Sequence, residues 1–192
     1  MILILISTVA GIVNQGNKFF REGKYDTALS YYNQAELLSP ENPVIKFNKG
    51  VALYKLGRMD EAEKSLLGAL KTKNPVLKQR TFYNLGNTYY KMGKLDNAIK
   101  SYISALKLNP FDKEAKKNLE MCLKQKKQNK SKNNKKEKNK NQQKNEKQKP
   151  KEKKQNGDVK QQLQAVQNEL KKLLKKNIQK KKGKGGGSVR DW

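Results

Sequence analysis

The chain has 192 residues, 34% hydrophobic and 32% charged, with a formal net charge of +27, too little apolar matter for one compact core along its whole length. One cysteine and no histidine exclude an intramolecular disulfide and a Cys/His metal site. The charge is uneven: residues 124–192 hold 25 of the 44 Lys and Arg but only 6 of the 17 Asp and Glu, so the packing residues belong to the first two thirds.

The chain opens on an apolar run, Ile2–Ile6, followed by the small residues of Ser7–Ala10. Residues 1–10 read as a truncated signal peptide or a short membrane anchor, although a basic start is missing and the run is too short to span a bilayer. Ile12 and Val13 then fit the apolar start of a first helix.

Residues 11–126 repeat themselves. Gly16, Gly50 and Gly86 are followed seven residues later by Gly23, Gly57 and Gly93. Ala28, Ala62 and Ala98 stand twelve after the first glycine, and Ala35, Ala69 and Ala105 nineteen after it. The period is 34 and then 36, with the extra residues in Lys71–Pro75. A unit of this length with small residues at fixed places is a pair of amphipathic helices that must stack on its neighbours to bury a face. The repeats span about 9–42, 43–75 and 79–112. Their helices are expected at about 9–22, 25–38, 43–56, 60–71, 76–92 and 95–108, with a capping helix at 111–126 carrying Ala115, Leu119 and Leu123 on one face.

Local chemistry agrees. The second glycine ends the first helix of each pair in a left-handed backbone. Asp26, Asp60 and Asp96 can cap the second helix, and Pro40, Pro75 and Pro110 stop it. Phe19, Leu53 and Tyr89 fill the core from the first helices, and Tyr32, Leu66 and Tyr102 from the second. Cys122 reads as a small buried residue on the last packed helix.

Residues 127–157 are nearly all Lys, Asn, Gln and Glu and read as a disordered, self-repelling linker. A helix capped by Asp158 is expected at 158–182, with a narrow stripe of Val159, Leu163, Val166, Leu170 and Leu173. Residues 183–192 form a flexible tail.

The Gly, Tyr/Phe, Ala and Pro positions of residues 9–110 resemble the tetratricopeptide-repeat family, and YNLGNTYYKMGKLDNAIKSYISALKLNP at 83–110 comes close to a consensus repeat. The resemblance implies an all-α solenoid whose concave groove binds a peptide or helix of a partner protein. The whole layout is also similar to the small repeat proteins of bacterial Bat aerotolerance operons: a short apolar start, three repeats, a Lys/Gln-rich tail, a late helix and a terminal Asp191-Trp192. That likeness implies a scaffold on the periplasmic side of an inner membrane, working with von Willebrand factor A-domain membrane proteins. A cytoplasmic location is the alternative.

The family register lines the groove with Val13, Asn17, Phe20 and Arg21, then Phe47, Asn48, Val51, Tyr54 and Lys55, then Arg80, Tyr83, Asn84, Asn87, Tyr90 and Lys91. Aromatic residues offer apolar contact, Asn can bond an extended backbone, and Arg21, Lys55 and Lys91 make a basic stripe. These features suit an acidic or amphipathic peptide. Some members grip a terminal carboxylate through five residues. Asn17, Asn48 and Arg80 match that clamp, while Val13 and Asn84 stand where it needs basic residues.

No catalytic constellation, cofactor motif or metal site is present in the sequence, so an enzyme is not expected. The basic tail could attract anionic lipid or nucleic acid, but no aromatic residues interleave its lysines for base stacking. A nucleic-acid- or ribosome-associated protein is the alternative function.

Overall fold

The computed structural model describes residues 2–141, with side chains from 9 to 132, and a few helical residues between Gln164 and Lys175. Among the described residues there are helices and no strands: α1 (Ile2–Arg21), α2 (Tyr25–Leu38), α3 (Pro43–Lys55), α4 (Met59–Ala69), α5 (Pro75–Lys91), α6 (Leu95–Leu108) and α7 (Lys113–Asn141). Each helix packs on the next in sequence. The odd helices also touch one another, α1 on α3, α3 on α5 and α5 on α7, whereas no two even helices meet. A stack whose odd layer is in contact and whose even layer is splayed curves toward the odd side. The molecule is the expected all-α solenoid, with its concave face on α1, α3, α5 and α7.

The glycines set the angle within each pair. Gly23, Gly57 and Gly93 have φ of 76°, 78° and 73°, and the N–H groups of Lys24, Arg58 and Lys94 bond back to the carbonyls of Phe19, Leu53 and Tyr89. That closes the first helix and turns the chain at once into the second. At the crossing itself, a Cβ on Gly16, Gly50 or Gly86 would stand 2.6, 2.7 or 2.5 Å from the side chain of Tyr32, Leu66 or Tyr102. Only glycine lets these large residues lie flat on the partner helix.

Burial follows from this contact. Tyr32, Leu66 and Tyr102 are at most 1% exposed. One cluster joins Tyr32 to Ala28, Leu29, Ala52, Leu53 and Ala62. A larger one runs from Phe47 and Leu66 through Leu85, Tyr89, Ala98 and Tyr102 to Leu119, Cys122 and Leu123 of α7. Cys122 is fully buried, as expected, and burial raises its thiol to about 11.

Four local expectations are corrected. Asp26, Asp60 and Asp96 do not cap: the N-cap residues are Lys24, Arg58 and Lys94, with no side-chain bond, and the aspartates sit in the first turn, where their charge is stabilised by the positive end of the helix dipole. Pro75 starts α5 instead of stopping α4, behind Asn74, whose side chain accepts from Val76 and Leu77. Asn42 and Pro43 open α3 in the same way. Proline is favoured there because the first helical N–H has no partner to lose. α1 takes in the apolar start from Ile2.

Finally, α7 runs on to Asn141, through residues expected to be linker. Lys, Gln and Glu are good helix formers, and nothing in 127–141 breaks a helix. The rest of the expected linker and the apolar stripe of 158–182 lie outside the described residues. Within that stretch Glu169 is helical and pairs with Lys107 of α6 at 3.0 Å. Among the described residues, no helix is long and apolar enough to cross a membrane.

Candidate peptide groove

The concave face is built from three repeating positions. The residue just after the helix-crossing glycine is Asn17, Val51 or Asn87, and the crossing residue of the second helix is Tyr32, Leu66 or Tyr102. The residue that faces them from the next odd helix is Asn48, Asn84 or Asn118.

In the first repeat, Asn17 Oδ1 accepts from Tyr32 OH at 2.8 Å and from Asn48 Nδ2 at 3.1 Å. The third repeat reproduces this: Asn87 Oδ1 accepts from Tyr102 OH at 2.7 Å and from Asn118 Nδ2 at 3.1 Å. The Asn118 amide also lies 3.5 Å from Tyr83 OH. The middle repeat has no such latch, because Val51 and Leu66 carry no polar atoms. Asn84 therefore turns back and donates to the Arg80 carbonyl of its own helix at 2.8 Å.

Burial holds both latch tyrosines protonated. It pushes Tyr32 up to about 12, partly countered by the positive charge of Arg21. Burial raises Tyr102 further still, with smaller contributions from Cys122 and Tyr83.

Between the latches stand half-buried Val51, Tyr54, Tyr83 and Tyr90. Tyr83 meets Tyr102 edge-on, with ring centroids 6.1 Å apart. Burial, and then the neighbouring Tyr83, raises the Tyr54 phenol above its ordinary range. Arg21, Lys55 and Lys91 are all exposed, one at the end of each of three successive odd helices.

Other expected groove residues are placed differently. Phe47 is 5% exposed and belongs to the core, with the Arg80 guanidinium stacked 5.0 Å above its ring. Phe20 is half-buried and packs against Tyr25 of α2 at 5.2 Å. Val13 is half-buried and brings no charge. The structure thus gathers Asn17 with Asn48, and Tyr54 with Tyr83 and Asn87, while Phe47 and Asn84 are engaged with the protein itself.

Tyr32, Tyr102 and Asn118 are additions. Their signal is in the sequence: asparagine follows the glycine only in the repeats whose crossing residue is tyrosine. Among the described residues, no three acidic or sulfur side chains stand close enough to hold a metal.

Models of the tetratricopeptide repeat match residues 13–75 and 80–112. A stretch of 56 residues is 45% identical to the TPR repeat-containing thioredoxin TTL4 of Arabidopsis thaliana, over 29% of this chain and 8% of that protein. Another of 49 residues is 39% identical to stress-induced-phosphoprotein 1 of Caenorhabditis elegans, over 26% of this chain and 15% of that one. The chain therefore spans only a small part of these relatives. Among solved structures, the first TPR of Spaghetti (RPAP3), bound to the HSP90 peptide SRMEEVD, is 28% identical with a TM-score of 0.56, over 59% of this chain and 89% of that one. The second TPR domain of human RPAP3, in complex with the HSP70 peptide SGPTIEEVD, is 26% identical with a TM-score of 0.57, over 62% and 97%.

Proposed function

We propose that this chain, which belongs to the tetratricopeptide-repeat family, is a non-catalytic adaptor that holds a segment of a partner protein in its concave groove. What supports the reading is half-buried Tyr54, Tyr83 and Tyr90 on the inner helices α3 and α5, with exposed Arg21, Lys55 and Lys91 at the ends of α1, α3 and α5. A segment both apolar and acidic satisfies both features. The peptides bound by the two RPAP3 domains have that character, each combining Glu-Glu with Val and a closing Asp.

The test is capture of the partner from cells by the full chain. Replacing Tyr54 and Tyr90 together with Ala weakens capture by about 1–3 kcal/mol, mainly through faster dissociation. Replacing Lys55 and Lys91 with Glu slows association and flattens its salt dependence. Capture that survives both double variants and disappears on deleting 158–192 moves the binding element to the tail.

The finer placement is also a proposal: a periplasm-facing scaffold at a bacterial inner membrane, assembled with von Willebrand factor A-domain proteins in aerotolerance or stress. The apolar opening at Ile2–Ile6 and the layout of the chain support it. Recovery with membranes and crosslinks to such partners are the expected results. RNA retention that falls steeply with salt would turn the reading toward the basic tail as a nucleic-acid binder.

A further inference from the structure

We propose that the groove has two main-chain anchors, one at each end, and that its ligand is a single extended internal segment gripped at both. This rests on the groove being the binding surface. The amide oxygen of Asn17 is filled by two donors, Tyr32 OH and Asn48 Nδ2, and that of Asn87 by Tyr102 OH and Asn118 Nδ2. In this arrangement each inner amide uses its oxygen and turns its nitrogen outward; turning both amides of a pair over exchanges the two roles and still leaves one donor and one acceptor. Among the described residues, the Nδ2 groups of Asn17 and Asn87 then meet no internal acceptor, and the Oδ1 atoms of Asn48 and Asn118 meet no internal donor.

Each pair therefore offers one donor and one acceptor side by side. That is the complement of the C=O and N–H of one extended residue. The middle of the groove has no such linked pair: Val51 is apolar, and the Asn84 amide nitrogen donates to the Arg80 carbonyl of its own helix instead of across to α3. Val51, Tyr54 and Tyr83 stand there and face side chains. The ligand class follows: main chain held at both ends, apolar side chains between, and acidic flanks toward Arg21 and Lys91, which end the two anchor helices α1 and α5.

The length follows too. Asn17 and Asn87 sit on α1 and α5 with α3 between, two steps of about 8–10 Å, or roughly 20 Å. An extended chain needs about six residues to cover that. The far anchor depends on α7, which supplies Asn118, so the last helix of the stack is part of the binding surface as well as its lid.

The experiment uses the full chain with an acetylated, amidated ten-residue peptide, acidic at both ends and apolar in its centre, and a four-residue half of it. Asn48→Ala and Asn118→Ala each weaken the long peptide by about three- to tenfold, as the loss of one or two hydrogen bonds would. Together they weaken it by about the product. The short peptide binds more weakly and responds to at most one of them. Tyr102→Phe keeps the ring on Gly86 but releases the Asn87 amide, and it repeats the Asn118→Ala loss on the long peptide alone, should Asn118→Ala disturb folding.

A long peptide indifferent to Asn118→Ala and Tyr102→Phe but weakened by Asn48→Ala overturns the second anchor and leaves the groove standing. Binding that needs a free terminal carboxylate overturns the internal-segment reading. Binding lost with Tyr54 and Tyr90 but unmoved by either Asn variant overturns both anchors while preserving the adaptor function.

Discussion

The outer repeats and the middle repeat meet the same packing requirement with different chemistry. In all three, a large side chain lies on a glycine at the helix crossing, less than 3 Å from where a Cβ would be. In the middle repeat it is Leu66, and the contact ends there. In the outer repeats it is Tyr32 or Tyr102, and the ring carries a hydroxyl through to the concave face. A buried hydroxyl without a partner costs about 1–3 kcal/mol, so the next residue along the odd helix is asparagine in both outer repeats and valine in the middle one. The choice of crossing residue thus decides whether a repeat presents a polar anchor or an apolar wall. A core position and a binding surface are set by one side chain.

The largest test of this comparison removes the crossing residue. Tyr102→Ala is expected to destabilise the chain by about 3–5 kcal/mol through the cavity it leaves. Tyr102→Phe should cost only about 0.5–1.5 kcal/mol, the worth of the hydroxyl's bond. Urea unfolding of both variants measures the split. Equal losses would mean that the hydroxyl, not the ring, dominates, and the shared packing role would be wrong.

A smaller effect separates ring from leucine. Gly86→Ala drives a methyl into three atoms of the Tyr102 ring at 2.5–2.8 Å, whereas Gly50→Ala meets Leu66 Cγ and Cδ2 at 2.7 and 2.9 Å and its backbone nitrogen at 3.2 Å. Overpacking costs about 1–3 kcal/mol, and replacing a helical glycine returns about 1. Both should therefore be destabilising in thermal melts, Gly86→Ala by more because three atoms of one rigid ring stand under 3 Å. The reverse order would show that the outer crossings are the looser ones.

Smaller again is conversion of the middle repeat to the outer type. Leu66→Tyr alone brings a hydroxyl opposite Val51 with no acceptor. Adding Val51→Asn supplies one, and draws Asn84 off the Arg80 carbonyl. In a double-mutant cycle the pair should be about 0.5–1.5 kcal/mol better than the sum of the singles. Additive effects would mean that the Asn–Tyr match does not set the latch.

Most of the backbone is legible in the sequence. The bounds expected for α2 and α6, 25–38 and 95–108, are those found, because a left-handed glycine before each and proline after each punctuate the chain. α7 is misjudged in length. A lysine-rich run lacks an apolar face and cannot pack, but lacking a face does not stop a backbone from being helical. The aspartate caps fail for a similar reason: the glycine closure already fixes the backbone entering the second helix, so the aspartates fall at its second residue, inside the first turn. The groove is half legible. Register alone assigns Tyr54, Tyr83 and Asn17 to the inner layer, where they are half-buried, but it also puts Phe47 there, and an aromatic beside an arginine is drawn under it. The latches escape a reading that counts Tyr32 and Tyr102 as volume, since hydrophobic pattern does not weigh the hydroxyl.

The smallest effect is in alkaline stability. Tyr32 is raised to about 12 in the folded chain by burial, against about 10 when unfolded. The folded state therefore holds this proton more tightly, and the stability it gives is fully present below about pH 10. It is lost as pH rises through about 12, because the unfolded chain then releases a proton that the folded one must keep or expel from a buried latch. Tyr89, raised to about 12 by burial and by the Glu63 carboxylate it bonds, adds a loss of the same sign from the contact of α5 with α4. Tyr32→Phe should be slightly less stable than wild type at neutral pH and should lose less between about pH 10 and 12, so the two curves converge. Leu66 has no counterpart to this, so Leu66→Met should shift the whole curve without changing its slope. Urea midpoints across that window decide it. A Tyr32→Phe curve parallel to wild type would place the alkaline loss elsewhere and detach the latch hydroxyl from the stability of the outer repeat.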